Sequence, residues 1–421
     1  MSTVIEALSA LLTVAGIAYM MLALWGARDF VRSVRQRDRT PDTARGNPRA
    51  APPVSILKPL KGVDPQMSAG LVSHCEQHYA GPFEIIFGVS APDDAAVAEV
   101  ERLQVAYPGI SIRLVVCPER LGSSGKVSNL VQMLPHAAYE HILINDSDIT
   151  VGRDYLGGVM GWFADPAVGL VTAPYVGRTV TGSGSTTRST TGQTTGQTTG
   201  QTTGETTGSD PITLWSRLEA LGISTDFLPG VLTARRLEGG IRFALGSTLA
   251  FSKAALTQAG GLEPLVDYLA DDYELGRRIA KAGFRVALSG EVVATSVPAY
   301  DFAGFWQHQM RWARSTRDSR RLGYIGLGVT YCVPWALATV VASGAALWSI
   351  TLLSVALLAR VSVALVVGVG ILHDDQVLRD LWLLPLRDLF GLLVWAWSYA
   401  GDTVVWRGEL FRLKRGRIEK V

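Results

Sequence analysis

Three kinds of hydrophobic pattern follow one another along this chain. From Val4 to Trp25 the sequence VIEALSALLTVAGIAYMMLALW is apolar apart from one charge near its start, long enough as a helix to cross roughly 30 Å of hydrocarbon. From Val329 to Leu372 the chain is again almost continuously apolar, which predicts two helices joined by a tight turn around Trp348 and Ser349. A further apolar stretch, Leu381 to Ala400, is interrupted by Arg387 and Asp388, charges that can pair but are costly in lipid unless buried or near an interface. Between the first two blocks, short β-branched runs alternate with helical stretches, as in an α/β sheet domain. Its clearest strands are Val54 to Leu57, Glu84 to Ser90 and His141 to Asn145. Each leads into polar or glycine-rich residues and then helical patterning, which predicts βαβ units with ligands beyond the carboxyl ends of the strands. Thr186 to Gly208 repeats a Thr-Thr-Gly-Gln tetrad, with Glu205 in place of one glutamine. With nothing to bury, it is expected to be a disordered insertion, and apolar sequence resumes at Pro211-Ile212-Thr213-Leu214-Trp215.

Charge and composition add orientation. A net charge of +2 is too mild for a nucleic-acid-binding surface, so no nucleic acid partner is expected. Cys75, Cys117 and Cys332 are too far apart for a disulfide framework or a zinc site. The mean hydropathy of +0.22 comes from the apolar blocks, read here as membrane spans. A cleaved signal peptide is the competing reading of the first one, but that run is too long, with no basic region before it and no clear cleavage site after it. Arg28, Arg32, Arg35, Arg37 and Arg39 follow the first span and place the central domain in the cytoplasm. Arg311, Arg314, Arg317, Arg320 and Arg321 before the hairpin, and Arg407, Arg412, Lys414, Arg415 and Arg417 in the tail, give the same side. A full crossing by Leu381 to Ala400 would put the tail outside, so a re-entrant or interfacial segment is preferred.

Three polar clusters carry candidate chemistry. The strand ending at Asn145 delivers Asp146, Ser147 and Asp148, and an Asp-x-Asp in extended chain turns both carboxylates to one face, where they can share a hard divalent cation with phosphate oxygens. Alone the motif is weak, because it is common in turns. Asp271 and Asp272 precede a helix read as Glu274 to Ala282. Helix capping is the plain explanation; removal of a proton from an acceptor hydroxyl is the functional one. His308, Arg311 and Trp312 share one helical face, which by itself describes a basic interfacial helix.

In this combination and order the chain resembles the membrane-bound glycosyltransferases of families 2 and 21, whose pattern is Asp, Asp-x-Asp, Asp-Asp and Gln/Arg-x-x-Arg-Trp. It is similar to ceramide glucosyltransferases in Ser55-Ile-Leu-Lys58-Pro59-Leu60-Lys61-Gly62-Val63-Asp64-Pro65, Gly125-Lys126-Val127-Ser128-Asn129-Leu130, Asp146-Ser147, Gly260-Gly261-Leu262 and Asp272-Tyr273. His308-Gln-Met-Arg311-Trp312-Ala313-Arg314 and Leu384-Pro385-Leu386-Arg387-Asp388 resemble most the bacterial hopanoid-biosynthesis glycosyltransferases. The resemblance implies a GT-A fold, α/β and Rossmann-like, with transmembrane helices at both ends. It implies that Asp94 contacts the nucleotide, with Asp93 as the alternative and an ordinary turn as the plain reading. Lys126 would meet the nucleotide or diphosphate, Asp146 and Asp148 would hold Mg²⁺ or Mn²⁺, Asp272 would act as base beside Asp271, and Arg311 would stabilise the departing diphosphate. His308 and Trp312 would line the substrate site, although His308 replaces the family's Gln or Arg and Ala91 replaces an acidic residue of the animal enzymes. The implied partners are a UDP-sugar, preferably UDP-N-acetylglucosamine, and a membrane lipid acceptor, preferably a hopanoid polyol. UDP-glucose with ceramide is the alternative, and a transporter or scaffold that only binds nucleotide sugar is the non-enzymatic one. The implied setting is a bacterial inner membrane with the catalytic domain cytoplasmic. The chain then divides into a transmembrane helix (1–27), a basic linker (28–50), a GT-A domain (51–305, insertion 181–210), an interfacial basic helix (306–327), a membrane region (328–402) and a basic cytoplasmic tail (403–421).

Overall fold

The computed structural model describes residues 2–39, 51–63, 66–179, 182–183, 209–210, 212–406 and 409–421. The threonine-rich repeat expected to be disordered, residues 40–50 of the linker, and Asp64-Pro65 lie outside them. The chain starts as one long helix, α1 (Ser2–Arg39), followed by β1 (Val54–Pro59), α2 (Met67–Cys75), β2 (Phe83–Val89), α3 (Ala96–Ala106), β3 (Ser111–Val116), α4 (Gly125–Met133), β4 (His141–Ile144), α5 (Tyr155–Met160), β5 (Val168–Thr172) and β6 (Tyr175–Thr179). Two-residue strands β7 (Gly182–Ser183) and β8 (Ser209–Asp210) pair antiparallel at the base of the insertion. Next come α6 (Leu214–Gly222), α7 (Leu228–Leu237), β9 (Leu249–Ser252), α8 (Lys253–Gln258), α9 (Asp271–Lys281), β10 (Arg285–Leu288) and β11 (Val293–Val297). The last part is α10 (Phe302–Ser319), α11 (Arg321–Thr330), α12 (Cys332–Ala342), α13 (Leu347–Val363), α14 (Gln376–Asp380), α15 (Leu384–Trp397) and three strands, β12 (Thr403–Trp406), β13 (Glu409–Lys414) and β14 (Arg417–Lys420).

The main sheet has the order β10-β5-β9-β4-β1-β2-β3. β1 runs parallel to both β2 and β4, whereas β9 runs antiparallel between β4 and β5. The order reverses at β1, so the crevice beyond β1 and β4 is where a ligand is expected. Both faces of the sheet are covered, which is why β1 reads as a continuous apolar run rather than an alternating one. Ile56 packs into one core with Leu71 and Val100, while Leu57 joins another that continues into Ala23, Ala27 and Phe30 of α1 and Cys332 and Ala336 of α12. The sheet and the apolar helices therefore share a core.

Among the described residues, two helical segments are long and apolar enough to cross a membrane, Thr3–Arg37 and Leu347–Val369; α11 and α12, bent by 51°, would together make a third. The turn expected around Trp348 and Ser349 lies earlier, after Ala342, where Gly344 and Ala345 have φ of 63° and 61°. α15 has 14 residues, about 21 Å at 1.5 Å per residue, which is less than the roughly 30 Å of a hydrocarbon core. The basic tail is a folded element, because β12, β13 and β14 form an antiparallel sheet. The basic helix expected over 306–327 is divided at Arg320, and its arginines bind protein groups. Arg314 donates to Thr403 O, Arg317 to Gly401 O at 3.0 Å, and Arg320 pairs with Glu238.

Arg387 and Asp388 do not pair with each other, since consecutive helical residues face different directions. Arg387 donates to Asp226 at 2.7 Å and Asp388 accepts from Arg360 at 2.9 Å. Arg360 also reaches Asp226 at 2.5 Å, on a π-helical turn, Ile223–Phe227, that joins α6 to α7. The chain of contacts continues from Arg387 to Gln309 at 2.9 Å and from Gln309 to Glu219 at 2.6 Å. It links α13 and α15 to α10 through buried groups. Removing one member leaves its partner charged and unpaired, so Arg360→Met is expected to destabilise the protein by about 3–5 kcal/mol. The Arg360→Met/Asp388→Leu double variant is expected to recover most of that loss, because Arg387 still pairs with Asp226. Thermal unfolding in detergent measures both.

Candidate active site

The site begins at the end of β4. Asn145 is fully buried, donating to Tyr155 Oη at 2.9 Å and to Ser247 O at 2.7 Å. Ile149 and Val151, both buried, anchor the chain on the other side of the triplet. Between these anchors Asp146-Ser147-Asp148 does not run extended but turns, with Ile149 N donating back to Asp146 O at 3.3 Å. The same-face argument from strand periodicity therefore does not apply; the turn itself presents Asp146 and Asp148 to the cavity, both lining it. Asp148 Oδ2 accepts from Thr295 Oγ1 at 2.5 Å. Helix α2 approaches this turn closely at Gly70, where a Cβ would sit 2.9 Å from both Ser147 O and Ile149 O.

Beneath the triplet is a lysine whose role was not legible in the sequence. Lys58, at the end of β1, is fully buried and donates to Asp146 O at 3.1 Å. Burial pulls its ammonium down to about 7, against the favourable pull of Asp148 and Asp146. His74 stands 3.5 Å from it, with Nδ1 2.7 Å from Gly70 O and Nε2 3.1 Å from Asn145 Oδ1; burial, then Lys58, push its pKa down to about 3, so the ring is neutral and its single N–H donates to one of these two oxygens. The available signal was a lysine inside an otherwise apolar buried strand.

Lys126 lies in the first turn of α4, whose N-cap Ser124 accepts from Val127 N at 3.3 Å. Its Nζ is 2.7 Å from Asp146 Oδ1 and 3.5 Å from Asp271 Oδ2. Burial works against its charge, yet Asp146 and then Asp271 hold its ammonium well above the usual lysine range. Helix α9 starts at Asp271, three residues earlier than the sequence suggests, and its N-cap Ala270 offers no side-chain cap. The capping explanation thus does not account for the pair in its usual form, although Asp272 Oδ1 does accept from the adjacent Tyr273 N at 2.7 Å. Burial, then the neighbouring Asp271, raise the Asp272 carboxyl to about 7, with Lys126 opposing. Burial also raises Asp271, again opposed by Lys126.

Asp94 lines the same cavity while Asp93 is exposed. Asp94 Oδ1 accepts from Gly62 N at 2.8 Å and Ala96 N at 2.9 Å, so it also orders the start of α3. From α10, held at its start by Asp301 accepting from Gly304 N at 2.7 Å, His308, Arg311 and Trp312 all line the cavity. His308 Nδ1 is 2.9 Å from Glu219 Oε1, close enough for an ion pair though not aligned as a hydrogen bond. The His308 ring stacks on Tyr300 at 5.5 Å and lies 5.1 Å from Trp312. Despite its burial Glu219 is held below the usual carboxylate range, chiefly by His308 and Arg387.

All nine residues expected from the sequence thus meet in one cavity of about 1400 Å³. Among the described residues, no three His, Cys, Asp or Glu side chains are gathered to hold a metal ion. Asp146 and Asp148 supply two hard carboxylates, which fits a cation of the Mg²⁺ type that completes its shell with substrate phosphates and water. The cavity's other end reaches Tyr19 and Leu22 of α1, Leu327 of α11 and Trp395 of α15.

Comparison with known proteins agrees with this architecture. In fold, the chain is similar to the mannosyltransferase PcManGT from Pyrobaculum calidifontis in complex with GDP-Man and Mn²⁺, with a TM-score of 0.50 and 20% identity over 94% of this chain and 99% of that one. This is a GT-A fold. In sequence, it is 24% identical over 264 residues to ceramide glucosyltransferase 3 of Caenorhabditis elegans, covering 62% of this chain and 50% of that protein. It is 29% identical over 139 residues to the ceramide glucosyltransferase of Komagataella phaffii, covering 32% of this chain and 26% of that one. The chain spans about half the length, or less, of these curated relatives. The family model for glycosyl transferase family 21 matches residues 8–190 and 185–419. The chain belongs to glycosyl transferase family 21.

Proposed function

We propose that the chain moves a sugar from a UDP-sugar to the hydroxyl of a membrane lipid, with inversion at the anomeric carbon. The observation that carries this reading is the continuity of the cavity, which joins Lys126, Asp146 and Asp272 at one end to Leu22, Leu327 and Trp395 of the apolar helices at the other. A charged donor and an amphiphilic acceptor need those two ends. In this reading α1 and the C-terminal helices anchor the chain in a bacterial inner membrane, the sheet domain is cytoplasmic, and α15 is re-entrant or interfacial.

Asp272 takes the proton of the acceptor hydroxyl, the oxygen attacks the anomeric carbon, and the bond from that carbon to the donor's phosphate oxygen breaks. No covalent enzyme intermediate is involved. A carboxyl held near 7 by burial and by Asp271 is a far better base than an exposed one, because base strength follows pKa until the group fails to ionise at working pH. Arg311 and Lys126 place positive charge beside the leaving diphosphate, in a site partly closed to water. Asp146 and Asp148 would hold a divalent cation, Mg²⁺ or Mn²⁺, which supplies further charge to the same phosphates. Asp94 meets the nucleotide, and His308 and Trp312 border the acceptor.

The donor and acceptor we favour are UDP-N-acetylglucosamine and a hopanoid polyol, supported by the resemblance of the His308-to-Arg314 and Leu384-to-Asp388 segments. UDP-glucose with ceramide is a second reading, favoured by the ceramide glucosyltransferase names of the relatives. Incubating the purified protein with each labelled UDP-sugar and vesicles carrying each lipid, then identifying the product by mass spectrometry, decides between them.

With the productive pair, kcat/KM is expected to rise with pH through about 7 as Asp272 loses its proton, and to level off above. Asp272→Asn is expected to lower turnover about 10²–10⁴-fold and abolish that rise; full turnover would remove Asp272 from the base role. Chelation by EDTA is expected to abolish transfer, and Mg²⁺ or Mn²⁺ to restore it. Undiminished activity in EDTA would remove the cation from the mechanism.

A further inference from the structure

The sequence from Thr403 to Lys420 alternates in character, punctuated by Arg407-Gly408 and Arg415-Gly416. In the second of these, Arg415 and Gly416 have φ of 52° and 80°, the consecutive positive values that a two-residue hairpin turn requires. The strands bury Val404, Phe411, Leu413 and Ile418 on one face, with Leu269 and Trp406 packed against them. The outer face carries Arg412, Lys414 and Glu419.

This small sheet touches both halves of the site. Ile418 N donates to Asp267 O at 2.7 Å, and Leu269 N donates to Gly416 O at 3.1 Å. The segment so held leads directly into Asp271 and Asp272. On its other side the same segment grips the loop before Lys126, where Ser123 N donates to Asp267 Oδ1 at 2.9 Å and Ser124 N to Val266 O at 2.7 Å. The sheet also rests on α10, which carries Arg311, because Gly416 N donates to Asp318 and Arg314 donates to Thr403 O. Trp406, Glu409 and Phe411 form part of the cavity wall. Trp406 pairs in register with Glu409, whose Oε2 lies 3.7 Å from Arg120 in the loop preceding α4. Trp406 is therefore on the side of the sheet that faces the loop leading into α4 and Lys126.

We propose that the C-terminal sheet is the outer wall of the donor pocket, with Trp406 offering its ring to the planar base of the nucleotide, and with β14 positioning the loop that carries Asp272. This rests on the reading of a nucleotide sugar as donor. An indole face is suited to a nucleobase because both are flat and polarisable, and the contact tolerates small shifts of the base. The two halves separate kinetically. A wall that binds the base acts on donor affinity in ground and transition state alike, whereas a strut beneath the base catalyst acts on turnover.

The test uses the full chain in detergent, with labelled UDP binding and sugar transfer from UDP-N-acetylglucosamine and UDP-glucose as readouts. Trp406→Ala is expected to weaken UDP binding and raise the donor KM roughly tenfold with kcat within about twofold; Trp406→Phe is expected to restore most of the affinity. Ile418→Pro, which removes the N–H donated to Asp267, is expected to lower kcat at least about tenfold with donor KM unchanged. Wild-type KM and UDP affinity in Trp406→Ala would overturn the wall, and wild-type kcat in Ile418→Pro would overturn the strut. The Trp406 pair leaves the backbone unchanged, so it decides the wall even if Ile418→Pro does not fold. A wild-type chain that binds no UDP and uses neither donor would instead overturn the donor reading itself.

Discussion

Three carboxylates, Asp146, Asp271 and Asp272, face one cavity, and the ammonium of Lys126 is what lets them stay there. Like charges brought together out of water repel strongly and resist ionisation. Lys126 lies against Asp146 and within 3.5 Å of Asp271, so it holds the end of β4 and the start of α9 to a common charge. Asp272, one residue further on, has its pKa raised by burial and then by the remaining repulsion from Asp271. The same electrostatic arrangement thus fixes the geometry of the site and sets one carboxyl apart by its raised pKa.

That centre is bound to the apolar helices by a second set of charges. Arg360, Asp226, Arg387, Gln309 and Glu219 form a continuous line of side-chain contacts from α13 to α10. It ends beside His308, three residues from Arg311. Charges so deeply placed favour one packing of the helices over others, since a shifted helix would strand an unpaired ion. The sheet domain is held from the opposite side by the shared core through Leu57, Ala27 and Ala336. The cavity is the space left between these two attachments, which is why it has a polar end and an apolar one.

Much of this was legible in local sequence, for reasons that differ by residue. β1, β2 and β4 showed as apolar runs because both faces of the sheet are covered, and the long apolar helices showed because their composition is extreme. Asp146 and Asp148 were found at a strand end, but their turn was not, because it depends on Lys58 and on α2 meeting it at Gly70. The C-terminal sheet reads as a tail in sequence because its charges are frequent. Alternation about Phe411 and Leu413 and the two Arg-Gly dipeptides were the overlooked signals. Arg387 and Asp388 looked like a pair because they are neighbours in sequence, whereas each finds its partner on another element.

The sequence by itself determined which segments are apolar helices, which strands build the parallel part of the sheet, and which acidic and basic residues are the candidates that line the cavity, since these depend on period, composition and motif. Only the tertiary structure decided that Lys126 bridges Asp146 and Asp271, that Asp272 is the carboxyl raised to about 7, and that Trp406 closes the same cavity. Burial and charge proximity are set by residues that lie on different elements, as far apart in sequence as Lys126 and Asp271, and no local pattern records which of them will meet.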